Sequence, residues 1–305
     1  MSESIKNRIF RQLTNRLDPV IANIVDVEHS EVACGKGLCI RRKETPEIIR
    51  EGQLIFEEFP IWPTAIAFFR HQDQYCYNCM RRLNGIFLPC SVETCNVKYC
   101  NKQCQDMSND LSHAALCVGR NTNYASYHKI AKESENEYYV VAARLLWMFP
   151  NAPWKFHYHS PQWSDKETDV DHMSLTDEID MMSRLLRVAF RELNGSDTDL
   201  ITPEALSRTI GFLLVNVLGL RHDEQDMGFA LYPTQSLINH SDSPNCRCVT
   251  VFGEENPDSP CLCGIQALRD IQPGEELFID YIGNVGKRER EITLRLQYGI
   301  DTSQE

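Results

Sequence analysis

Eight residues of the kinds that bind zinc lie between positions 76 and 117, and they constrain the fold of this chain more than any other feature. They follow the order C-x2-C, C-x4-C, C-x3-C, H-x3-C, at Cys76, Cys79, Cys90, Cys95, Cys100, Cys104, His113 and Cys117. A structural zinc site takes four thiolate or imidazole ligands, and short spacings let one turn offer two ligands to the same ion. The intervening residues are too polar to bury eight cysteines in an apolar core. The sequence therefore predicts two structural zinc sites.

The composition is that of a folded protein from a reducing compartment. The chain has 305 residues, of which 42% are hydrophobic, enough for a sizeable core. Its 13 cysteines are an odd number, and the first 20 residues hold no apolar signal segment. Thiols and zinc thiolates are therefore favoured over disulfides. We expect a monomer of the cytoplasm or nucleus, with no membrane span because no run of 18 apolar residues occurs.

The charge balance bears on the kind of partner. Lys and Arg number 31 against 43 Asp and Glu, which gives a net charge of −12. Nonspecific affinity for nucleic acid comes mostly from clustered Lys and Arg, so this balance argues against DNA and suits a basic partner. An acidic balance also serves solubility alone, and that interpretation stays open.

Hydrophobic periodicity changes several times along the chain. Apolar residues at a four-residue step, Ile5, Ile9, Leu13 and Leu17, predict a short amphipathic helix at the start. The predicted strands span 21–27, 37–40, 53–58, 246–252, 261–268 and 276–281, and the predicted helices span 127–149, 175–193 and 203–218. This order indicates a β-rich domain with two insertions.

Three short stretches outside the zinc-type cluster carry candidate functional residues. Gly35-Lys-Gly-Leu38 marks a tight turn, and Gly274-Glu-Glu-Leu-Phe-Ile-Asp-Tyr281 ends a predicted strand on a tyrosine. Asn239-His-Ser-Asp-Ser-Pro-Asn245 places two asparagines, a histidine and a proline after an apolar pair. Taken singly, each stretch fits an ordinary turn, polar loop or core tyrosine. Their order around the zinc-type cluster makes them informative together.

In this combination the sequence resembles the SET and MYND domain family of protein lysine methyltransferases, over about residues 20–300. The cluster is similar to the MYND finger through Cys76-Tyr-Asn-Cys79, Tyr99-Cys100, Cys104-Gln105 and His113-Ala-Ala-Leu-Cys117. Asn239-His-Ser and Gly274-Glu-Glu-Leu stand where the family has Asn-His-Ser-Cys-x-Pro-Asn and GEEL-x-x-x-Tyr. The resemblance implies interleaved zinc sites, one with Cys76, Cys79, Cys100 and Cys104, the other with Cys90, Cys95, His113 and Cys117.

The resemblance also implies the architecture. The fold class would be α+β, a β-rich SET fold interrupted by a MYND-type zinc finger and a helical insert, with a pseudo-knotted thread near Asn239 and Tyr281. The implied domains are an N-terminal helix (1–19), a first SET part (20–75), the zinc finger (76–117), a helical insert (118–215), the SET catalytic core (216–283) and a short C-terminal segment (284–305).

The implied activity is transfer of a methyl group from S-adenosylmethionine to a lysine of a histone or another protein. Carried over position by position, the cofactor site would be lined by Lys36, Gly37, Asn216, Ser236, Ile238, Asn239, His240 and Tyr281. Tyr281 would be the catalytic tyrosine, and Tyr298 the second tyrosine of the lysine channel. Two structural zinc ions complete the expected cofactors.

Several positions depart from the family pattern. Asp242 stands at the cysteine that binds a third zinc in the family, and no cysteine follows Cys263 to supply the other ligands. Ile300 stands where the family has an aromatic residue near the cofactor base, and we expect no helical C-terminal domain. These departures support an alternative function, a catalytically impaired adaptor whose MYND finger binds proline-rich peptides of partner proteins.

Four further cysteines form two C-x-C pairs. A hairpin centred on Glu254 and Glu255 would place Cys246 opposite Cys263 and Cys248 opposite Cys261. The four thiols would then converge as a replacement zinc site, or pack as small apolar residues against the core. The second interpretation is favoured.

Overall fold

The computed structural model describes residues 17–30, 36–42, 47–61, 64–149, 172–194, 198–222, 225–251, 261–283 and 285–300. Most of the amphipathic helix predicted at the start, the turn residue Gly35 and the predicted Glu254–Glu255 turn lie outside these residues. The described chain forms two compact units, one over residues 61–231 and one over residues up to 60 and from 232 onward. The finer domain boundaries stay predictions.

Most of the predicted helices and strands are present, and the α+β class is confirmed. The sequence did not predict the strands Val217–His222 and Gln225–Leu231 or the helix Lys287–Thr293. The strands are Val25–His29 (β1), Lys36–Ile40 (β2), Leu54–Glu58 (β3), Ile66–Ala67 (β4), Leu88–Pro89 (β5), Lys98–Tyr99 (β6), Val217–His222 (β7), Gln225–Leu231 (β8), Asn239–His240 (β9), Cys246–Val251 (β10), Leu262–Ala267 (β11) and Phe278–Ile279 (β12). The α-helices are Lys102–Ser108 (α1), Thr122–Glu133 (α2), Glu137–Met148 (α3), His172–Asn194 (α4), Pro203–Asn216 (α5) and Lys287–Thr293 (α6). Of the described helices, none has the length and apolar character that a membrane span needs.

The first unit, residues 61–231, packs its helices around buried tyrosines. The predicted start of α5 is confirmed, since Pro203 is its first residue and the Thr202 side chain accepts a hydrogen bond from Ala205 N at 3.0 Å. Tyr127 is fully buried and donates its hydroxyl proton to Tyr139 O at 2.8 Å. Strands β4, β8 and β7 form an antiparallel sheet in that order. The zinc-type cluster lies within this unit.

The helix predicted over 127–149 is wrong as a single element. The chain forms α2 and α3, separated at Glu135, which has a left-handed backbone with φ of 49°. The Asn136 side chain accepts from Tyr138 N at 3.2 Å and so caps α3. Apolar spacing continues across the break, which is why periodicity alone merges the two helices.

The second unit consists of small sheets from both ends of the chain. β1 pairs with β2, and β3 pairs with β11, which pairs with β10, all antiparallel. β1 begins later than predicted because Ile21–Asn23 forms a short 3-10 helix. The carboxyl end of β3 is Glu58, whose buried side chain accepts hydrogen bonds from Thr234 N and Gln235 N. That carboxylate anchors the turn that precedes Asn239.

The predicted register of the cysteine hairpin is wrong. Cys246 pairs with Ala267, and Cys248 pairs with Ile265, four positions away from the predicted partners. A shift of four positions keeps each side chain on the same face of the strand, so the apolar pattern does not distinguish the two registers. β11 also pairs with β3, which places Phe56 opposite Ile265. Among the described residues, groups of three or more potential metal ligands occur at two places only, both within residues 76–117. The four hairpin thiols do not form such a group.

Candidate functional site

One cluster of metal-ligand atoms joins Cys76, Cys79, Cys100 and Cys104. All four sulfur atoms lie within 4.8 Å of one another, with 3.6 Å from Cys79 to Cys100 and 3.5 Å from Cys100 to Cys104. Sulfur atoms at about 2.3 Å from a tetrahedral zinc ion are roughly 3.8 Å apart. The cluster therefore has the dimensions of a four-thiolate zinc site.

Local backbone geometry places these ligands. Met80 follows the first cysteine pair with a left-handed backbone, φ of 61°, and its N–H donates to Cys76 O at 2.9 Å. Asn101 caps α1 by accepting from Cys104 N at 2.8 Å. Cys100 and Cys104 therefore lie on either side of the helix start, one helical turn apart.

The other cluster joins Cys90, Cys95, His113 and Cys117. His113 Nε2 lies 3.4 Å from the Cys90 sulfur and 3.7 Å from the Cys95 sulfur. Burial, followed by the charges of Arg144 and Arg120, lowers the pKa of His113 to about 4. The imidazole is neutral at pH 7, as a zinc ligand must be. The structure groups the ligands in the two sets that the resemblance implies, and each set can hold a zinc ion.

The second unit contains a polar site where two segments that are distant in sequence pair side by side; we call this pairing the crossing. β9 and β12 pair in parallel, with Asn239 beside Phe278 and His240 beside Ile279. Asn245 holds this crossing, because its amide donates to Glu276 O at 2.7 Å and its oxygen accepts from Phe278 N at 2.8 Å. The predicted strand 276–281 is shortened to two residues at this crossing. The pseudo-knotted thread expected near Asn239 and Tyr281 stays a prediction.

The Asn239 side chain is oriented by a carboxylate. Its Nδ2 donates to Glu276 Oε1 at 2.8 Å and to Lys36 O at 3.1 Å, which uses both amide protons. The other carboxylate oxygen of Glu276 accepts from Ser30 Oγ at 2.9 Å. A Cβ on Gly37 would stand 2.0 Å from Glu276 Oε1, so only glycine leaves room for this pair. The amide oxygen of Asn239 remains available as an acceptor.

Tyr281 and Tyr298 stand side by side beyond this crossing. Their ring centroids are 4.8 Å apart, and the Tyr281 hydroxyl donates to Ile238 O at 2.8 Å. Desolvation is the main cause that raises the pKa of both phenols, so both stay protonated at neutral pH. Because the Tyr281 proton is engaged by Ile238, its oxygen can accept a further hydrogen bond. The pair forms one aromatic wall.

His240 lies against Tyr281 among charged groups. Tyr281 N donates to its Nδ1 at 3.3 Å, which leaves the proton of the neutral ring on Nε2. Nε2 is 3.4 Å from Asp242 Oδ1 but is not aligned for a hydrogen bond, and Nδ1 is 4.0 Å from Asp280 Oδ1. The Arg290 guanidinium contacts both of these aspartates.

The structure brings most of the predicted cofactor-site residues together. Lys36, Gly37, Ile238, Asn239, His240, Tyr281 and Tyr298 are linked by the contacts above. Ser236 lies in the turn before them and donates to Pro233 O at 3.1 Å. Asn216 ends α5 in the other unit, where its amide donates to Phe212 O at 2.8 Å. Sequence reasoning missed Ser30, Glu58 and Arg290, and gave Glu276 no role.

Comparison with known proteins agrees with this architecture. The family model of the SET domain matches residues 41–282. The chain belongs to the SET domain family. The chain also matches the crystal structure of the SET domain of LSMT bound to lysine and AdoHcy. The match covers 97% of this chain and 57% of the LSMT chain, with a TM-score of 0.50 and 12% identity. That likeness concerns the fold.

Relatives of this SET chain include named methyltransferases. Protein-lysine N-trimethyltransferase SMYD5 of Gallus gallus is 24% identical over 333 residues, which cover 82% of this chain and 77% of the relative. Histone-lysine N-methyltransferase SMYD3 of Homo sapiens is 28% identical over 281 residues. That match covers 87% of this chain and 57% of SMYD3. The chain thus spans somewhat more than half of SMYD3 and about three quarters of SMYD5.

Proposed function

We propose that this chain is a protein-lysine N-methyltransferase that uses S-adenosylmethionine. The observation that carries the proposal is the parallel pairing of β9 and β12, which brings Asn239, Ile238 and Tyr281 to one point of a SET fold. The activities in the names of SMYD5 and SMYD3 support it. The lysine and AdoHcy in the LSMT structure also support the proposal, since AdoHcy is S-adenosylmethionine without its methyl group.

The residues present fit such a cofactor. S-adenosylmethionine, when bound, supplies an electrophilic methyl group and carries an ammonium and a carboxylate. The oriented Asn239 amide offers its oxygen to an ammonium, because both amide protons are used by Glu276 and Lys36. Lys36 is exposed and offers a positive charge to a carboxylate. Together with Ile238 and the backbone at His240, Asn239 and Lys36 form what we call the cofactor edge. The roles of Ser236 and Asn216 rest on the resemblance.

The lysine substrate must lose its proton before it can react. At a pKa of about 10.4, only about one lysine amine in 2,500 is neutral at pH 7. The desolvation that raises the pKa of Tyr281 and Tyr298 also disfavours an ammonium beside them. The Tyr281 oxygen, with its own proton on Ile238 O, can accept from the amine and aim its lone pair. Positioning and desolvation are the contributions of this chain.

The substrate is a protein, a histone or another lysine-bearing protein, and the net charge of −12 suits a basic segment better than DNA. The cytoplasm or nucleus suits the described cysteines, none of which takes part in a disulfide bond. The zinc module, residues 76–117, has a structural role, and binding of proline-rich peptides through it belongs to the adaptor alternative.

One experiment separates enzyme from adaptor. S-adenosylmethionine is titrated calorimetrically into the zinc-loaded protein, and transfer of a labelled methyl group to mixed histones and to a cell extract is followed. The enzyme predicts micromolar cofactor binding and labelled protein bands that disappear in Tyr281→Phe. A chain that binds neither cofactor nor AdoHcy, yet retains its zinc, supports the adaptor and contradicts the proposal.

A further inference from the structure

Arg290 joins three segments that surround the two tyrosines. Its Nε donates to Asp242 Oδ1 at 2.6 Å, and its Nη2 lies 2.6 Å from the same oxygen and 2.9 Å from Asp280 Oδ1. Its Nη1 donates to Asp280 Oδ2 at 3.2 Å and to Gly283 O at 3.1 Å. All three guanidinium nitrogens are engaged in this planar fork, which a lysine cannot reproduce.

The network is partly shielded from water. The Arg290 side chain is 18% exposed and that of Asp280 is 29% exposed. Asp242 is more open, at 48% exposed. Exposed ion pairs contribute little to stability, so the contacts with Asp280 and Gly283 O are the ones expected to restrain the geometry most. The five contacts make Arg290 a junction, whereas Arg288 on the same helix α6 is exposed.

Each segment held by Arg290 leads to a residue of the proposed site. Asp280 immediately precedes Tyr281, and Asp242 lies two residues after His240. Arg290 itself lies on α6, which continues as a π-helix over Leu294–Tyr298. The Tyr298 ring at its end stands 4.8 Å from the Tyr281 ring. A loss of the Arg290 contacts would remove the side-chain link from α6 to the other two segments, which stay joined by the pairing of β9 with β12.

The same network surrounds the His240 ring. Asp242 and Asp280 face its two nitrogens, Arg290 lies between those carboxylates, and Tyr281 packs its ring at a centroid distance of 5.3 Å. Burial and then Arg290 lower the pKa of His240, against the opposite effect of the two aspartates. Without Arg290, both carboxylates would face the imidazole unopposed and favour its protonation.

We infer that Arg290 is a positioning residue of the proposed methyltransferase site, which bridges Asp242 and Asp280 so that Tyr298 stays against Tyr281. Protonation of His240 would place a proton on Nδ1, which could then no longer accept the hydrogen bond from the Tyr281 backbone N–H. This inference rests on the proposed function only for its effect on rate. Its effect on His240 is independent of any activity.

The test compares Arg290→Gln and Arg290→Lys with the matched control Arg288→Gln. We expect Arg290→Gln to lower kcat about tenfold or more and to change the KM for S-adenosylmethionine less. The reason is that methyl transfer depends more strictly on the positions of the two tyrosines than cofactor binding does. Arg290→Lys should restore the charge but not the two-sided bridge, so its kcat stays reduced. Arg288→Gln should match the wild type.

The second readout is the titration of His240 by NMR of ring-labelled protein. We expect the His240 pKa to rise in Arg290→Gln, to stay low in Arg290→Lys, and to be unchanged in Arg288→Gln. The kcat of Arg290→Gln should gain a new loss toward acid pH that follows this titration. Circular dichroism and zinc content verify folding, and Arg290→Lys carries the test if Arg290→Gln does not fold.

The outcomes separate the two proposals. An unchanged His240 pKa together with wild-type kcat in folded Arg290→Gln overturns the positioning role. A shifted His240 pKa in a chain whose wild type neither binds the cofactor nor transfers methyl groups overturns the proposed function and leaves the Arg290 junction standing. A uniform fall of rate and cofactor affinity in both Arg290 variants, with no change at His240, would reduce Arg290 to a general stabilising contact.

Discussion

At the scale of single residues, close contacts explain the side chains of the proposed cofactor edge. Gly37, Glu276 and Asn239 occupy one small volume, since a Cβ on Gly37 would meet Glu276 Oε1 at 2.0 Å and Asn239 Nδ2 at 3.1 Å. The Glu276 carboxylate determines which way the Asn239 amide points. The glycine is therefore required by its neighbours and not by a left-handed backbone.

Gly37→Ala should weaken cofactor binding. The methyl group must displace the Glu276 carboxylate, and loss of the oriented amide is expected to raise the Kd for S-adenosylmethionine about tenfold, the equivalent of one hydrogen bond. Calorimetric titration measures this. Gly219→Ala is the matched control, because a Cβ at that strand glycine meets nothing within 4 Å. An unchanged Kd in folded Gly37→Ala would remove Glu276 and Asn239 from the cofactor edge.

Tyr281→Phe should separate binding from chemistry. The hydroxyl donates to Ile238 O and accepts from the amine only when the amine is positioned, so its loss should lower kcat about 100-fold or more with little change in cofactor Kd. Tyr298→Phe is the comparison, because it keeps the aromatic wall, and it should lower kcat less. Equal losses of cofactor affinity and rate in Tyr281→Phe would indicate a structural hydroxyl.

At the scale of elements, the turn before Asn239 depends on a carboxylate from a remote strand. Glu58 ends β3 and accepts from Thr234 N and Gln235 N, the backbone groups that begin the 3-10 helix Gln235–Leu237. Desolvation outweighs these hydrogen bonds and raises the pKa of Glu58 to about 7. Between pH 4.5 and about 7, the Glu58 carboxyl is therefore protonated in the folded state and ionised in the unfolded state.

The free energy of unfolding should depend on pH because of Glu58. The folded pKa is raised from 4.5 to about 7, so the Glu58 contribution is largest near pH 4.5 and is lost as pH rises toward 7. Relative to Glu58→Gln, the wild type should lose up to about 3 kcal/mol of unfolding free energy as pH rises across that window. Urea unfolding at several pH values between about 5 and 7.5 measures it.

Glu57→Gln provides the matched control for Glu58→Gln. Glu57 is the neighbouring strand residue and is exposed, so its neutralisation should leave the pH dependence of unfolding unchanged. If Glu58→Gln and wild type show the same pH dependence while Glu57→Gln also matches them, Glu58 is ionised in the folded protein throughout this range.

At the scale of the whole molecule, metal content tests the fold most directly. Two clusters have the donors and spacing of tetrahedral zinc sites, and the cysteines of β10 and β11 do not form a third. Elemental analysis of chelator-free protein should find two zinc ions per chain. The double variant Cys261→Ser with Cys263→Ser should keep two, and Cys104→Ser should approach one.

Other metal counts would each have a definite meaning. A count near three that returns to two in Cys261→Ser with Cys263→Ser would show that the hairpin thiols bind metal after all. A count of one or less in the wild type would contradict the assignment of residues 76–117 as a two-zinc module.

The zinc ligands and the three motifs could be found in the sequence because their information is local. Pairs such as Cys76 with Cys79 lie within one turn, so residue type and spacing suffice to predict them. Helix α5 was predictable for the same reason, since Thr202 and Pro203 mark its start. The resemblance then supplied Asn239, His240 and Tyr281 as site residues.

Contacts between distant segments lay beyond the sequence. The register of β10 and β11 lies four positions from the predicted one, and the alternating pattern fits both registers because an even shift keeps each side chain on its face. Glu276 meets Asn239 across 37 positions, and Arg290 meets Asp242 across 48. Spacing along the chain carries no signal for such partners, because their meeting is decided by strand pairing and burial elsewhere. The sequence by itself determined which residues can bind zinc and where the motifs lie, because that information is local. Only the tertiary structure decided that Glu276 orients the Asn239 amide and that Arg290 bridges Asp242 and Asp280.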